Sequence, residues 1–133
     1  MALNDLTAAI IGAAIKVHRT LGPGLLESAY RVCLAYELEK LGLRVQQEKP
    51  IPVIYEEVKL ECGFRADLLV EGQVIVECKA KEKLTPIDKA QVASHLRLLK
   101  LQVGLLINFH ELLLKDGIQR IVNNYREPVE DKI

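Results

Sequence analysis

Three observations predict an α/β fold in which one mixed β-sheet is flanked by helices. Apolar residues recur at helical spacing in the first third of the chain, shift to a two-residue period in the middle, and return to helical spacing after Pro86. A final continuous apolar run, 103–109, suits a strand buried on both faces, and such strands lie inside sheets covered by helices. The 133 residues, half of them hydrophobic, suffice for one core and are too few for two, so 1–133 is read as a single domain.

The elements follow in order. Leu6, Ala9, Ile10, Ala13 and Val17 mark an amphipathic helix over about 5–19, with Asn4 or Asp5 as its cap. Leu21-Gly22-Pro23-Gly24 breaks it. A second helix carries Leu26, Tyr30, Cys33, Leu34, Leu38 and Leu41 on its buried stripe and stops at Gly42. Short β-like runs at 45–48, 51–55 and 58–61 come next, and Pro50 and Pro52 give the early ones an irregular or edge position. Pro86, a favoured first-turn residue, opens a third helix that runs to about residue 100. Residues 118–125 are expected to form a short helix or strand, and those after Glu127 to fray.

Between the meander and the third helix lie Arg65-Ala66-Asp67-Leu68-Leu69-Val70 and Val74-Ile75-Val76-Glu77-Cys78-Lys79, which read as a hydrophobic hairpin with an Asp, a Glu and a Lys set into it. A two-residue Glu71-Gly72 turn would pair Val70 with Gln73 and send the two apolar faces to opposite sides. A three-residue loop containing Gly72 pairs even-numbered residues with even, so that Phe64, Ala66, Leu68 and Val70 share a core face with Val74, Val76 and Cys78. Arg65, Asp67, Leu69, Ile75, Glu77 and Lys79 then collect on the other face. Carboxylates in apolar strands cost several kcal/mol, on the order of what pairing or a bound metal restores, so this cluster points to a hard-cation site.

Bulk properties narrow the partners. The 18 basic and 18 acidic residues cancel, which argues against a non-specific polyanion binder but leaves room for a site with a local basic rim. Cys33, Cys62 and Cys78 are odd in number and lack metal-ligand spacing, so they read as reduced, mostly buried small hydrophobes. No stretch is apolar enough to span a membrane and no signal peptide is visible, so a soluble, cytoplasmic protein is expected.

Asp67 followed ten positions later by Glu77-Cys78-Lys79 resembles the core motif of the PD-(D/E)XK nuclease superfamily, which implies divalent-metal phosphodiesterase chemistry. Two carboxylates from neighbouring strands and the main-chain carbonyl of Cys78 offer oxygens to Mg²⁺ or Mn²⁺. Such an ion polarises a phosphate and acidifies a bound water. Lys79, on the same face as Glu77, can orient that water or stabilise developing phosphate charge. The same residues alone also fit a solvated strand face with an ion pair of Glu77 to Lys79 or Arg65.

In that superfamily a proline usually stands where this chain has Ala66. Upstream, Gly24-Leu25-Leu26-Glu27-Ser28-Ala29-Tyr30 matches the signature of the GxxExxY family, a prokaryotic group within it. The resemblance runs from about Ile11 to Val122 and includes Gly63-Phe64-Arg65-Ala66-Asp67 and Leu106-Ile107-Asn108-Phe109. It implies a three-layer restriction-endonuclease-like fold and a metal-dependent nuclease but not DNA or RNA as the substrate; DNA is expected ahead of RNA. By the same resemblance Glu27 is an additional acid brought to the metal from a helix, where the residues alone offer a Glu27–Arg31 pair one turn apart. Tyr30 reads as a core residue with its hydroxyl hydrogen-bonded.

Gln91 and His95 match the place of a Q-x-x-x-Y pair in related nucleases, with His95 replacing the tyrosine. Gln91 would hold Lys79 or a substrate phosphate. Lys81, Lys83, Lys89, Arg97 and Lys100 form a basic stretch that fits either a phosphate-tracking rim or a solvated helix face. His18 and His110 have no partner at metal-ligand spacing. Two other classes stay open: a nucleic-acid-binding module that keeps the site without turnover, and a regulatory protein whose charges are structural. A homodimer placing two sites on one duplex would suit a domain this small.

Overall fold

A computed structural model describes residues 1–124. Helices α1 (Leu3–Leu21) and α2 (Glu27–Lys40) are followed by strands β1 (Val45–Tyr55), β2 (Val58–Val70) and β3 (Val74–Lys79). Helix α3 (Pro86–Leu99), strand β4 (Val103–Asn108), a 3₁₀ turn (Leu114–Gly117) and strand β5 (Ile118–Val122) complete the order. The strands form one sheet in the order β1-β2-β3-β4-β5, antiparallel except at the β3–β4 pair, which α3 connects as a crossover. Helices α1 and α2 bury Leu6, Ile10, Val17, Tyr30, Leu34 and Leu38 against one face of the sheet. On the opposite face α3 packs Val92 and Leu96 onto Leu69, Ile75 and Leu106. The expected three-layer α/β architecture with a mixed sheet is therefore present.

Local chemistry accounts for the boundaries. In α1 the N-cap is Ala2, without a side-chain bond, and Asp5 instead sits in the first turn, where its charge complements the helix dipole. Leu26 and Leu41 are the caps of α2, outside the turns that face the sheet, so they are 79% and 60% exposed where a buried stripe was expected. At α3, Thr85 and Asp88 close a reciprocal capping box ahead of Pro86, which satisfies two orphan backbone donors. The expected strands at 45–48 and 51–55 are one strand, and 58–61 is continuous with the hairpin strand. Pro50 and Pro52 are tolerated because β1 lies at the sheet edge, where a missing N–H costs little, and the register shifts between Ile51 and Val53. Of the expected 118–125 element, the described part is the strand β5; Tyr125 and the residues after Glu127 lie outside the described residues.

The β2–β3 register is the one that parity requires. Val70 pairs with Val74, Leu69 with Ile75 and Leu68 with Val76, across a three-residue turn in which Glu71 and Gly72 both take positive φ, 54° and 64°. Beyond Leu68, however, the expected faces are corrected. Phe64 and Ala66 pack with Ile51, Leu69 and Ile75 on the α3 side, while Leu68, Val70, Val74, Val76 and Cys78 pack on the α1–α2 side. Alternation therefore breaks at Asp67. Pairing to β1 passes from Ala66–Lys49 to Leu68–Gln47, and pairing to β3 ends at Leu68–Val76. Across from the break, Glu48 takes φ 49°. This interruption frees the Asp67 backbone and side chain from the regular ladder at the site described next.

Strand β4 is buried along its whole length, as its unbroken apolar run predicts. Gly104 lets α3 approach, since a Cβ there would lie 2.7 Å from Val92 Cγ1. Among the described residues no helix is long and apolar enough to cross a membrane.

Candidate active site

Asp67 and Glu77 meet where β2 and β3 part. The Cys78 N–H donates to Asp67 Oδ2 at 2.8 Å, and the Asp67 N–H points at Glu77 Oε1 at 3.4 Å, so carboxylates stand in for missing ladder bonds. Glu77 is buried and Asp67 half-buried. Burial and then repulsion from Glu77 push the Asp67 carboxyl up to about 7, against the Cys78 N–H and the Lys79 ammonium, which favour its charged form. Two acids crowded this way repel one another, and a divalent cation between them would offset that repulsion.

Two cavities, of about 550 Å³ and 560 Å³, are both lined by Asp67 and Glu27. Glu77, Lys79, Arg65, Gln91 and His95 line the second. The sequence-derived set thus converges on one cleft, with distinct settings. Lys79 is half-buried, and its ammonium has no hydrogen-bonded partner among the described residues. Its backbone is fixed in β3, opposite Asn108 of β4, and its carbonyl accepts from the Phe109 N–H at 2.8 Å. Gln91 is exposed on the cleft wall and bonds neither Lys79 nor any other described residue. The Cys78 side chain points into the α1–α2 core, where burial pushes its thiol well up, so only its main chain faces site chemistry.

Glu27 opens α2 and is exposed toward the cleft. The Glu27–Arg31 pair does not form: Arg31 Nη1 reaches Glu48 Oε1 at 2.9 Å instead, leaving Glu27 without an ion pair among the described residues. Tyr30 explains the rest of the motif. Its hydroxyl donates to the Gly22 carbonyl at 2.6 Å and accepts from the Leu25 N–H at 3.1 Å, while its ring stacks on Phe109 at 4.5 Å. Tyr30 thus braces the loop that delivers Glu27. Tyr30→Phe keeps the stack and loses both bonds; the expected result is a loss of about 1–2 kcal/mol in a denaturant melt.

His95 is buried, with its ring stacked on Phe64 at 3.7 Å and 13°. Ser94 also lines the second cavity, and Glu48 with Arg31 lines the first; Ser94 and Glu48 were not singled out from sequence. The Arg31–Glu48 pair joins α2 to β1 and becomes visible only once the helix is packed on the sheet. The basic stretch is dispersed: Lys81 pairs with Asp88 at 2.9 Å, Arg97 bonds Ser94, and Lys100 caps α3. His18 bonds the Glu111 carbonyl at 2.7 Å, a packing role.

The three-layer α/β fold thus carries an Asp, a Glu and a Lys in one cleft, at the point where two neighbouring strands part. A family model for the PD-(D/E)XK nuclease superfamily matches residues 4–121, and the chain belongs to that superfamily. No curated protein and no solved structure matches it. Membership brings nuclease chemistry on nucleic acid, generally with a divalent metal. Among the described residues no three His, Cys, Asp or Glu side chains converge as a ready-made metal cage. Two carboxylates nevertheless suit an ion such as Mg²⁺, which keeps several waters and takes one or two protein carboxylates. The raised Asp67 pKa and the carboxylate-only pair fit such a hard cation.

Proposed function

We propose that this chain is a cytoplasmic, single-domain phosphodiesterase of the GxxExxY group that hydrolyses nucleic acid, DNA in preference to RNA, with Mg²⁺ or Mn²⁺. The observation that carries this reading is the Asp67–Glu77 pair at the β2–β3 parting, with Lys79 beside it. Asp67, Glu77 and the Cys78 carbonyl would hold the ion, with Glu27 completing the set from across the cleft. When bound, the ion supplies polarisation of the phosphoryl oxygen and a more acidic water. Lys79 orients the water that attacks phosphorus, and its ammonium offsets the negative charge that develops as the P–O bond to the leaving oxygen breaks. Gln91, on the wall of α3, holds a phosphate of the substrate strand. A pair of chains would set two sites against one duplex.

The test is cleavage of end-labelled single- and double-stranded DNA and RNA with Mg²⁺, Mn²⁺ or EDTA, comparing wild type with Asp67→Ala and Lys79→Ala. Metal-dependent cleavage lost in both variants is expected. Metal binding without cleavage of any substrate would move the protein to a binding module. Nucleic acid held equally well by all three proteins, with no metal effect, would favour a regulatory role.

A further inference from the structure

We infer that His95 is a positioning residue for Glu77, fixing from behind the carboxylate that holds the ion; the inference rests on the ion-site reading above. His95 Nδ1 lies 3.2 Å from Glu77 Oε1, and both side chains are about nine-tenths buried. Nδ1 is nonetheless without a hydrogen bond in the described geometry: the atoms are within reach, but the alignment is not that of a bond. A buried ring nitrogen with one polar atom within reach has one low-cost way to be satisfied, which is to donate to that atom. Catalytic hydrogen bonds are often misaligned in the empty site and tighten when the site is loaded.

The ring is held for this task. Phe64 covers it at 3.7 Å, and Phe64 is on the α3 side only because alternation in β2 breaks at Asp67. Glu77 Oε1 faces both the Asp67 N–H and His95 Nδ1, so the carboxylate is flanked by a donor from the sheet and a donor from α3. An outer donor of this kind fixes a metal-binding carboxylate's orientation, and its loss typically weakens metal affinity about 10–100-fold. His95 thus couples α3, which also carries Gln91, to the ion.

Calorimetric titration of Mn²⁺ at pH 8 into wild type, His95→Phe and His95→Gln tests this, with melting of each metal-free protein alongside. His95→Phe preserves the stack on Phe64 and removes the donor; its affinity should fall about 10–100-fold. His95→Gln restores an N–H and should stay within about threefold of wild type. Unchanged affinity in His95→Phe overturns the inference, and so does an equal loss in both variants. If His95→Phe does not fold, His95→Leu takes its place under the same criteria. Direct ¹⁴N coupling to Mn²⁺ in electron spin echo measurements of wild type would make His95 a ligand and overturn the positioning role. Wild type that takes no Mn²⁺ overturns the ion site itself, and is thereby distinguished from a failure of His95 alone.

Discussion

Asp67→Asn is expected to abolish metal-dependent cleavage, by on the order of 10³-fold, and at the same time to stabilise the metal-free protein. The second effect follows from the first residue's discomfort. In the folded chain burial and Glu77 raise the Asp67 carboxyl from 3.8 to about 7. Below about pH 3 the carboxyl is protonated in both states and contributes nothing. As pH rises, the unfolded chain loses this proton first while the folded chain retains it, so stability falls between about pH 4 and pH 7. The destabilisation is complete above pH 7. The full shift is an upper bound, because Asp67 is partly exposed and shares its charge with Glu77; after screening, about 1–2 kcal/mol is expected. An amide there should raise the melting temperature roughly 4–7 °C at pH 8 and flatten its pH dependence. Thermal melts of both proteins at pH 4.5 and pH 8 without metal check this. A variant that melts lower than wild type at pH 8 would contradict it.

The second large effect is expected from Asn108, which touches no substrate. Its side chain is fully buried: Oδ1 accepts from the Lys81 N–H at 3.1 Å and the His110 N–H at 3.2 Å, and Nδ2 donates to the Lys81 carbonyl at 2.8 Å. Asn108 therefore clips the end of β4 to the chain leaving β3, two residues beyond Lys79. Asn108→Ala orphans three backbone groups at once, and the expected cost is about 3–4 kcal/mol in a urea melt. Cleavage should fall beyond what the lost stability explains, because the segment that holds Lys79 is no longer anchored. A loss under 1 kcal/mol, on the scale of one exposed hydrogen bond, would show that water replaces the clip.

Much of this was legible in the sequence, for physical reasons that also mark the limits. Periodicity located three helices and the fully buried β4, because the core selects apolar residues at 3.6- and 2-residue spacing. The even-to-even pairing of β2 and β3 came from requiring one core face, and the turn obeys it. Asp67, Glu77 and Lys79 stood out as charges in strands otherwise apolar, and all three line one cleft. Glu27, Gln91 and His95 were reachable only by motif resemblance, since nothing in helical spacing says which polar residue faces a site. Phe64 and Ala66 were assigned to the wrong face because parity assumes an unbroken pleat, and the break lies at the site residue itself. Leu26 and Leu41 were read as buried because spacing does not reveal that the helix begins one residue after Leu26 and ends one residue before Leu41. The Arg31–Glu48 pair depends on how α2 packs against β1, which spacing within either element does not reveal.

The central claim is that Asp67 and Glu77 together hold one divalent ion, and crystals soaked in Mn²⁺ and measured for anomalous scattering test it most directly. The account predicts one strong peak within about 2.5 Å of a carboxylate oxygen from each residue, absent from Asp67→Asn crystals treated alike. Well-ordered wild-type crystals with no peak between the two carboxylates, or a peak that survives in Asp67→Asn, would contradict it.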